Sequence, residues 1–435
     1  MRVGRPGRGS LLPESKKVVL FAVDTGDGRY TAEDSITELK SLAWTMGWET
    51  VGTLIQKRPS PALQTYLGEG KVEELRELIT SLGAEAAICD DELTPVQAYH
   101  LEEQLQSDVL DRTQLILDIF AERARSKEGK VQVEMARWRY LLPRLTGKGV
   151  EMSRIGGMAA AEGATRGPGE TKLERERSRI RRRMAVLRRE LHKVSERRAL
   201  HREARNAGDM CTAALVGYTN AGKSSLMNRL CGAEVAVEDK LFATLDPTIR
   251  MMTLPQGDMA YLVDTVGFIN KLPHDLVAAF RATLEEVNHA DILIHVVDAS
   301  HPLMLEQAAT VDQVLAEIGA GDKPVIMALN KADLIPAKSY MDAAKARWPK
   351  ACIISALTGE GCSDLLWMIS ETLPRQHVVR TYLVPYTEGQ VVAWLHQNGR
   401  VLDESYEADA VKIRVELNRR MALMVEGYEM AAERV

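Results

Sequence analysis

The sequence predicts a multidomain α/β protein, and three observations lead there. An apolar run at 213–216 is followed by Gly217, four residues and Gly222-Lys223-Ser224. That is the spacing of a phosphate-binding loop set between a strand and a helix. Short apolar runs alternate with helical periods on both sides of this loop, as in sheets covered by helices. Between the two α/β regions lies a long charged stretch with apolar residues at heptad spacing, which predicts a helical hairpin. A length of 435 residues accommodates several domains, and 45% apolar residues supply their cores.

In chain order, residues 1–16 begin MRVGRPGRGS and read as a disordered basic tip without the apolar centre of a signal peptide. Residues 17–121 form the first α/β domain. Strand-like runs fall at 18–23, 51–55, 84–89 and 115–120, with helical patterns at 31–46, 70–82 and 94–106. The string TYLGEGKVEEL at 65–75 holds a Gly-x-Gly-Lys turn, but its spacing is not that of a phosphate loop. It reads as a turn that opens a helix. No catalytic constellation stands out in this domain.

Residues 122–208 read as an antiparallel helical hairpin. Over 122–145, Val131, Met135, Trp138, Leu141 and Leu142 recur near a helical period, and Pro143 is expected to end the run. Residues 146–169 contain seven glycines, which argues against a regular element there. That span carries Lys148, Arg154 and Arg166, so a basic tip loop entering an RNA cleft and a plain linker are both open. From Glu170, Leu173, Ile180, Leu187 and Val194 fall seven apart, and Met184 and Leu191 fill the second seam position. Residues 171–208 hold fourteen Lys/Arg and five Asp/Glu, a local +9 in a chain of net charge −5, leaving −14 for the remainder. Such a segment fits either a polyanion contact or a solvated helical face. Arg175, Arg177, Arg179, Arg181, Arg182, Arg183, Arg188 and Arg189 lie mostly off the seam, where they can meet phosphates.

Residues 209–375 form the nucleotide domain, with further strand-like runs at 260–263, 292–297, 325–329 and 352–354. Residues 376–435 read as a small α+β domain. It has TYLVPY, a helix-like segment at 386–397, alternation at 411–415 and 422–425, and a loose end at 430–435.

The chemistry concentrates in the nucleotide domain. Gly217, Tyr218, Thr219, Asn220, Ala221, Gly222, Lys223, Ser224 and Ser225 would wrap the phosphates with backbone N–H groups at a helix N-terminus. Lys223 would reach the β- and γ-phosphates and the Ser224 hydroxyl would hold Mg²⁺. Asp264-Thr265-Val266-Gly267 follows a strand, placing Asp264 toward Mg²⁺ through water and the Gly267 N–H toward the γ-phosphate. Asn330-Lys331-Ala332-Asp333 follows another. A carboxylate there accepts from both guanine N1–H and its amino group, a donor pair that adenine lacks. Ser355-Ala356-Leu357 would offer backbone to the guanine oxygen. These strings together favour GTP over ATP. In LFATLDPTIR (241–250) both Thr244 and Thr248 are placed to sense Mg²⁺ and the γ-phosphate. Phe268 stands where a water-orienting glutamine is common, so intrinsic hydrolysis should be slow and the orienting group must come from elsewhere in the chain or from a partner.

With these residues in hand, the chain resembles the HflX family of GTPases, of the Obg/HflX-like group in the TRAFAC class. Outside the nucleotide motifs the likeness rests on TYLGEGKVEEL, DRTQLILDIFAERA (111–124), RYLLPRL (139–145) and TRGPGETKLE (165–174), and within them on LFATLDPT and DTVGFI. The resemblance selects Thr244 as the Mg²⁺-facing threonine and implies nucleotide contacts along Phe242, Ala243, Thr244, Leu245 and Asp246. It also implies an apolar residue at Phe268. It further implies a GTP hydrolase that binds the large ribosomal subunit, with its hairpin toward rRNA near the peptidyl-transferase region, and that separates stalled or idle ribosomes. Arg154, Arg166, Arg175, Arg179, Arg181, Arg182 and Arg183 are then the candidate RNA contacts. The tip IGGMAAAEGATRGPG is longer and richer in alanine than the family's usual loop. A nucleotide-regulated RNA-remodelling factor and a signalling GTPase with a protein effector are the competing readings.

Five scattered cysteines without a CxxC pair predict reduced thiols in a cytoplasmic protein, with neither zinc site nor disulfide framework. No apolar run is long enough to span a membrane. No DNA partner is expected, and a hairpin that pairs with itself fits a monomer.

Overall fold

The computed structural model describes residues 15–26, 28–155, 168–207, 210–232, 241–242, 244–255, 257–273, 281–335, 344–373 and 377–430. The expected basic tip lies almost wholly outside the described residues, as do 431–435.

The first domain is a four-stranded parallel sheet in the order β2-β1-β3-β4, with β1 at Lys17–Asp24, β2 at Glu49–Lys57, β3 at Ala86–Cys89 and β4 at Asp108–Asp111. Helices α1 (Ala32–Thr45), α2 (Glu69–Leu82), α3 (Pro95–Leu105) and α4 (Arg112–Arg123) cover it. Successive side chains of a strand point to opposite faces. Val18, Leu20, Ala22, Ala86 and Ile88 therefore join α1 and α4 on one side, while Val19, Phe21, Val23, Ala87 and Cys89 join α2 and α3 on the other. Reciprocal capping boxes start α1 (Thr31 with Asp34) and α3 (Thr94 with Gln97), each satisfying N–H groups that a helix start leaves open.

Residues 115–120 are helical, which corrects the strand expected there. Leu115, Ile116, Leu117, Ile119 and Phe120 are all buried, and within the run only Asp118 marks the polar side of the helix. The strand ends just before, at Asp111, whose carboxylate accepts from the Gln114 N–H at 2.8 Å and caps the helix.

The hairpin consists of α5 (Lys127–Ile155) and α6 (Pro168–Ala207). Helix α5 does not end at Pro143 but runs on through the first part of the glycine-rich span. Proline removes one helical hydrogen bond, and the following Arg144 anchors the turn. Its guanidinium donates to Asp111 Oδ2 at 2.7 Å and to the Leu93 carbonyl at 2.6 Å, and lies 3.5 Å from the centre of the Tyr140 ring. Val131, Met135 and Leu187 form the seam with Trp138, Met184 and Leu191. At 40 residues, α6 is about 60 Å long.

The nucleotide domain has a six-stranded sheet ordered β10-β9-β8-β5-β7-β6. Its strands are β5 (Thr212–Gly217), β6 (Thr248–Thr253), β7 (Met259–Asp264), β8 (Ile292–Asp298), β9 (Val325–Asn330) and β10 (Cys352–Ile353). All pairs are parallel except the edge strand β6, whose half-exposed residues gave no apolar run to read. Helices α7 (Lys223–Cys231), α8 (Arg281–His289), α9 (Met304–Glu317) and α10 (Cys362–Thr372) flank the sheet. The last domain is an antiparallel sheet ordered β11-β13-β12, from β11 (His377–Pro385), β12 (Arg400–Tyr406) and β13 (Ala410–Asn418), backed by α11 (Gly389–Asn398). Residues 422–425, read as alternation, mostly belong to the short helix α12 (Arg419–Met424); Ala422 within it and Val425 just after it are buried. Among the described residues no helix is long and apolar enough to cross a membrane.

One hydrophobic core runs across two domains. Leu115, Phe120 and Tyr140 of the first domain and hairpin share it with Phe242, Leu245, Val266, Phe268 and Ile269 of the nucleotide domain.

Candidate nucleotide site

The site grows from the carboxyl end of β5. Gly222 takes φ +93 and caps the N-terminus of α7; a Cβ there would meet Asn330 Nδ2 at 2.2 Å. Only glycine leaves room at that point. The buried Lys223 ammonium donates to the Gly217 carbonyl at 3.1 Å and the Tyr218 carbonyl at 2.8 Å, which folds the side chain over the loop. Burial pushes its pKa down to about 8, partly offset by Asp264. Phosphate oxygens would reverse that shift.

At the loop mouth three oxygen ligands converge. Ser224 Oγ lies 2.8 Å from Thr244 Oγ1, and Asp264 Oδ2 accepts from both, at 2.6 and 3.1 Å. Thr248 lies in β6, opposite Asp264 in the ladder. Hence it is Thr244 whose hydroxyl reaches the cluster. Burial raises the Asp264 carboxyl above its ordinary range, against the opposing pull of Lys223, and Asp264 Oδ1 is buried without a partner. Two hydroxyls and a carboxylate with an oxygen to spare fit a hard, water-retaining cation such as Mg²⁺.

The base end is held together by Asn330. Its Nδ2 donates to the Ala221 carbonyl at 2.8 Å and its Oδ1 accepts from the Ala356 N–H at 2.9 Å, tying the phosphate loop to the 355–357 turn. Within the 355–357 stretch expected to offer backbone to guanine, the Ala356 N–H is thus engaged by Asn330. Asp333 Oδ1 accepts from Ser355 Oγ at 2.6 Å, which orients the carboxylate. Lys331 lies in the left-handed region at φ +62 and pairs with Asp298 at 2.6 Å. The Leu357 side chain is exposed.

Four residues named from sequence face elsewhere. Phe242 stacks edge-on against Phe120 of α4 with ring centres 4.6 Å apart, and Leu245 is buried in the same shared core. Asp246 accepts from the N–H groups of Arg125 and Ser126, at 3.2 and 2.8 Å, and from the Ser126 hydroxyl, at the start of α5. These side chains dock the Thr244 loop onto the first domain, while the Thr244 hydroxyl meets Ser224 and Asp264. Ala243 lies outside the described residues. Tyr218 also turns away from the phosphates: its hydroxyl donates to Glu38 and accepts from the Asn270 N–H at 2.6 Å.

Sequence reasoning missed what lies beyond Tyr218. Glu38 also pairs with Arg112, which is 1% exposed and donates to Asp90 Oδ1 at 2.7 Å. Lys271, just after the Asp264–Gly267 segment, reaches Asp90 Oδ2 and Asp91 Oδ1, both at 2.5 Å. Burial alone would raise the Asp90 carboxyl, but Arg112 and Lys271 together bring it below its ordinary range. These charges sit far apart in sequence and follow no motif, so nothing local announces them.

Of the candidate RNA contacts, Arg175, Arg179, Arg181 and Arg182 are exposed on α6. Arg183 instead makes two hydrogen bonds of 2.7 Å to Glu134 of α5 and closes the hairpin. Arg154 falls in the last turn of α5, but its side chain is outside the described residues, and Arg166 is outside them altogether.

Comparison with known proteins follows the same division of the chain. Residues 33–121 match the family described as GTP-binding GTPase N-terminal, 123–205 the GTP-binding GTPase middle region, 212–331 the 50S ribosome-binding GTPase, and 341–428 the HflX C-terminal domain. GTPase HflX of Caldanaerobacter subterraneus is 44% identical over 388 residues, covering 88% of each chain. GTPase HflX of Escherichia coli is 38% identical over 386 residues, covering 88% of this chain and 90% of that one. Among solved structures, a GTP-binding protein from Sulfolobus solfataricus in complex with GDP is 25% identical. It covers 82% of this chain and 98% of that one, with a TM-score of 0.42.

Proposed function

From a chain that belongs to the HflX family of GTPases and hydrolyses GTP, we propose a ribosome-directed enzyme whose nucleotide state sets its grip on the large subunit. Its GTP is cradled by residues 217–225, read at the base by Asp333, and closed over by Thr244 and the segment after Asp264. Ser224 and Thr244 would hold Mg²⁺ and Asp264 would reach it through water, and the ion would supply positive charge where charge develops on the phosphates. Lys223 holds the β- and γ-phosphates; the Gly267 N–H meets the γ-phosphate. The observation that carries this reading is the convergence of Ser224, Thr244 and Asp264 within 3.1 Å at the mouth of the loop.

On hydrolysis the Thr244 loop and the 264–271 segment lose their γ-phosphate contacts. Both are seated on the first domain through Phe242, Asp246 and Lys271, so the change is passed to that domain and to the root of the hairpin. The exposed arginines of α6 supply the contact with rRNA, near the peptidyl-transferase region, and hydrolysis releases the factor after the subunits have been separated.

Steady-state GTP turnover is measured with and without purified large ribosomal subunits, beside Lys223→Ala. A rise of about ten-fold or more that the variant lacks is the expected result; a flat response sinks the ribosomal reading. Replacing Arg179, Arg181 and Arg182 with alanine should weaken subunit binding and flatten its salt dependence while basal turnover holds. Unchanged binding would instead point to a protein effector.

A further inference from the structure

Phe268 cannot orient the attacking water: its side chain has no polar atom, and it is 2% exposed in the core shared with the first domain. The neighbouring backbone supplies a replacement. The Thr219 N–H donates to the Phe268 carbonyl at 2.7 Å, and the Phe268 N–H donates to the Gly217 carbonyl at 3.1 Å. This short ladder presses Gly267 against the phosphate loop. A Cβ built on Gly267 would lie 2.8 Å from Thr219 Cα, 2.9 Å from Thr219 Cγ2 and 3.0 Å from Lys223 Nζ. Thr219 thus packs directly on the Gly267 backbone beside the Lys223 ammonium, in the wall of the phosphate loop where the γ-phosphate of the proposed site belongs.

Thr219 is 93% buried by its 7% exposure, and its hydroxyl has no hydrogen-bond partner. Only two buried side-chain atoms without a partner lie at the loop mouth among the described residues, Thr219 Oγ1 and Asp264 Oδ1. Asp264 faces the metal cluster. A buried hydroxyl left unsatisfied is costly, so one beside a phosphate pocket argues for a ligand that completes it.

We propose that Thr219 is a catalytic residue for GTP hydrolysis, its hydroxyl donating to a γ-phosphoryl oxygen and accepting from the attacking water. A hydroxyl carries one donor and two acceptor sites, so one group serves both. The water oxygen bonds to the γ-phosphorus as the bond to the β,γ-bridging oxygen breaks. The electron pair leaves on GDP, the water's proton ends on the released phosphate, and Thr219 keeps its own. This assignment rests on the nucleotide site proposed above.

The test uses the full chain with Thr219→Val, which keeps Cγ2 and exchanges the hydroxyl for a methyl, and Thr219→Ser, which keeps the hydroxyl. The expected result is single-turnover GTP hydrolysis at least ten-fold slower in T219V and within three-fold of wild type in T219S, with fluorescent GDP affinity unchanged in both. T219V should also fail to bind aluminium fluoride in the presence of GDP, the mimic of the transferring phosphoryl group. Wild-type turnover in T219V, or an equal loss in T219S, overturns the assignment. If T219V loses GDP affinity or does not fold, Thr219→Ala decides by the same criteria. Failure of the underlying site looks different: wild type and Lys223→Ala would then bind GDP equally.

Discussion

At Gly222 a single hydrogen atom separates the phosphate loop from Asn330 at the end of β9. The side-chain amide of Asn330 occupies the space where a Cβ would sit, 2.2 Å away. Gly222→Ala must therefore push Asn330 off the Ala221 carbonyl and strain a backbone at φ +93. The expected outcome is a loss of GDP affinity of at least ten-fold with secondary structure retained, read by fluorescent-nucleotide titration and circular dichroism. Lys223→Ala removes the charged donor to the phosphates. Hydrogen bonds to charged groups contribute roughly 1.5–3 kcal/mol each, so affinity for GTP should fall by about 10- to 150-fold in equilibrium titration. Most of the residues at this scale were legible in the sequence, because a phosphate loop must place its glycines, lysine and hydroxyl at fixed spacing. What spacing could not show was direction. Phe242, Asp246 and Tyr218 fall within the motifs, yet their side chains serve the neighbouring domain.

The root of the hairpin shows the same limit for an element. Pro143 is a sound stop signal when read locally, but tertiary contacts of Arg144 hold the helix through it. Arg144 is the ion-pair partner of Asp111, whose side chain is 1% exposed. Breaking a buried pair from one side costs about 3–5 kcal/mol; Arg144 retains partial exposure, so Arg144→Ala should lower the unfolding free energy by about 2–3 kcal/mol in a denaturant titration. It should also quicken proteolysis within the hairpin. Burial raises the Asp111 carboxyl against the pull of Arg144, so losing the arginine removes the main charge that keeps it ionised. Helix α4 was misread for the opposite reason. Within 115–120 five of the six residues are apolar and buried, and the polar side of the helix shows only as Gln114, Asp118 and Glu122, too sparse to outweigh the run when it is read locally. Its capping signal, Asp111 three residues before Gln114, was present and carries more information than the apolar run.

For the whole molecule, the decisive contacts join distant parts of the chain: Glu38, Asp90 and Arg112 with Tyr218 and Lys271. No pattern predicts them, since they depend on how two finished domains meet. Arg112→Leu leaves Glu38 and Asp90 without their shared partner, and Lys271 then carries the Asp90 charge alone. Calorimetry should then show separate transitions for the first and nucleotide domains where the native protein unfolds them together. A single transition in the variant would mean that the shared apolar core alone couples them. The pH dependence has a definite sign. Asp90 has a depressed carboxyl pKa, so its contribution is complete above about pH 4 and is lost as pH falls through the folded-state value.

The core spanning both domains also bears on synthesis. The chain emerges from its N-terminus, so helix α4 with Leu115 and Phe120 is complete well before Phe242, Leu245 and Phe268 exist to cover it. During that interval the nascent protein presents an open apolar surface beside a finished basic hairpin. A fragment ending before residue 209 would hold that half-made condition permanently, and such patches favour self-association. The nucleotide domain is thus the cover for its own predecessor's apolar surface, and the order of translation sets when that cover arrives.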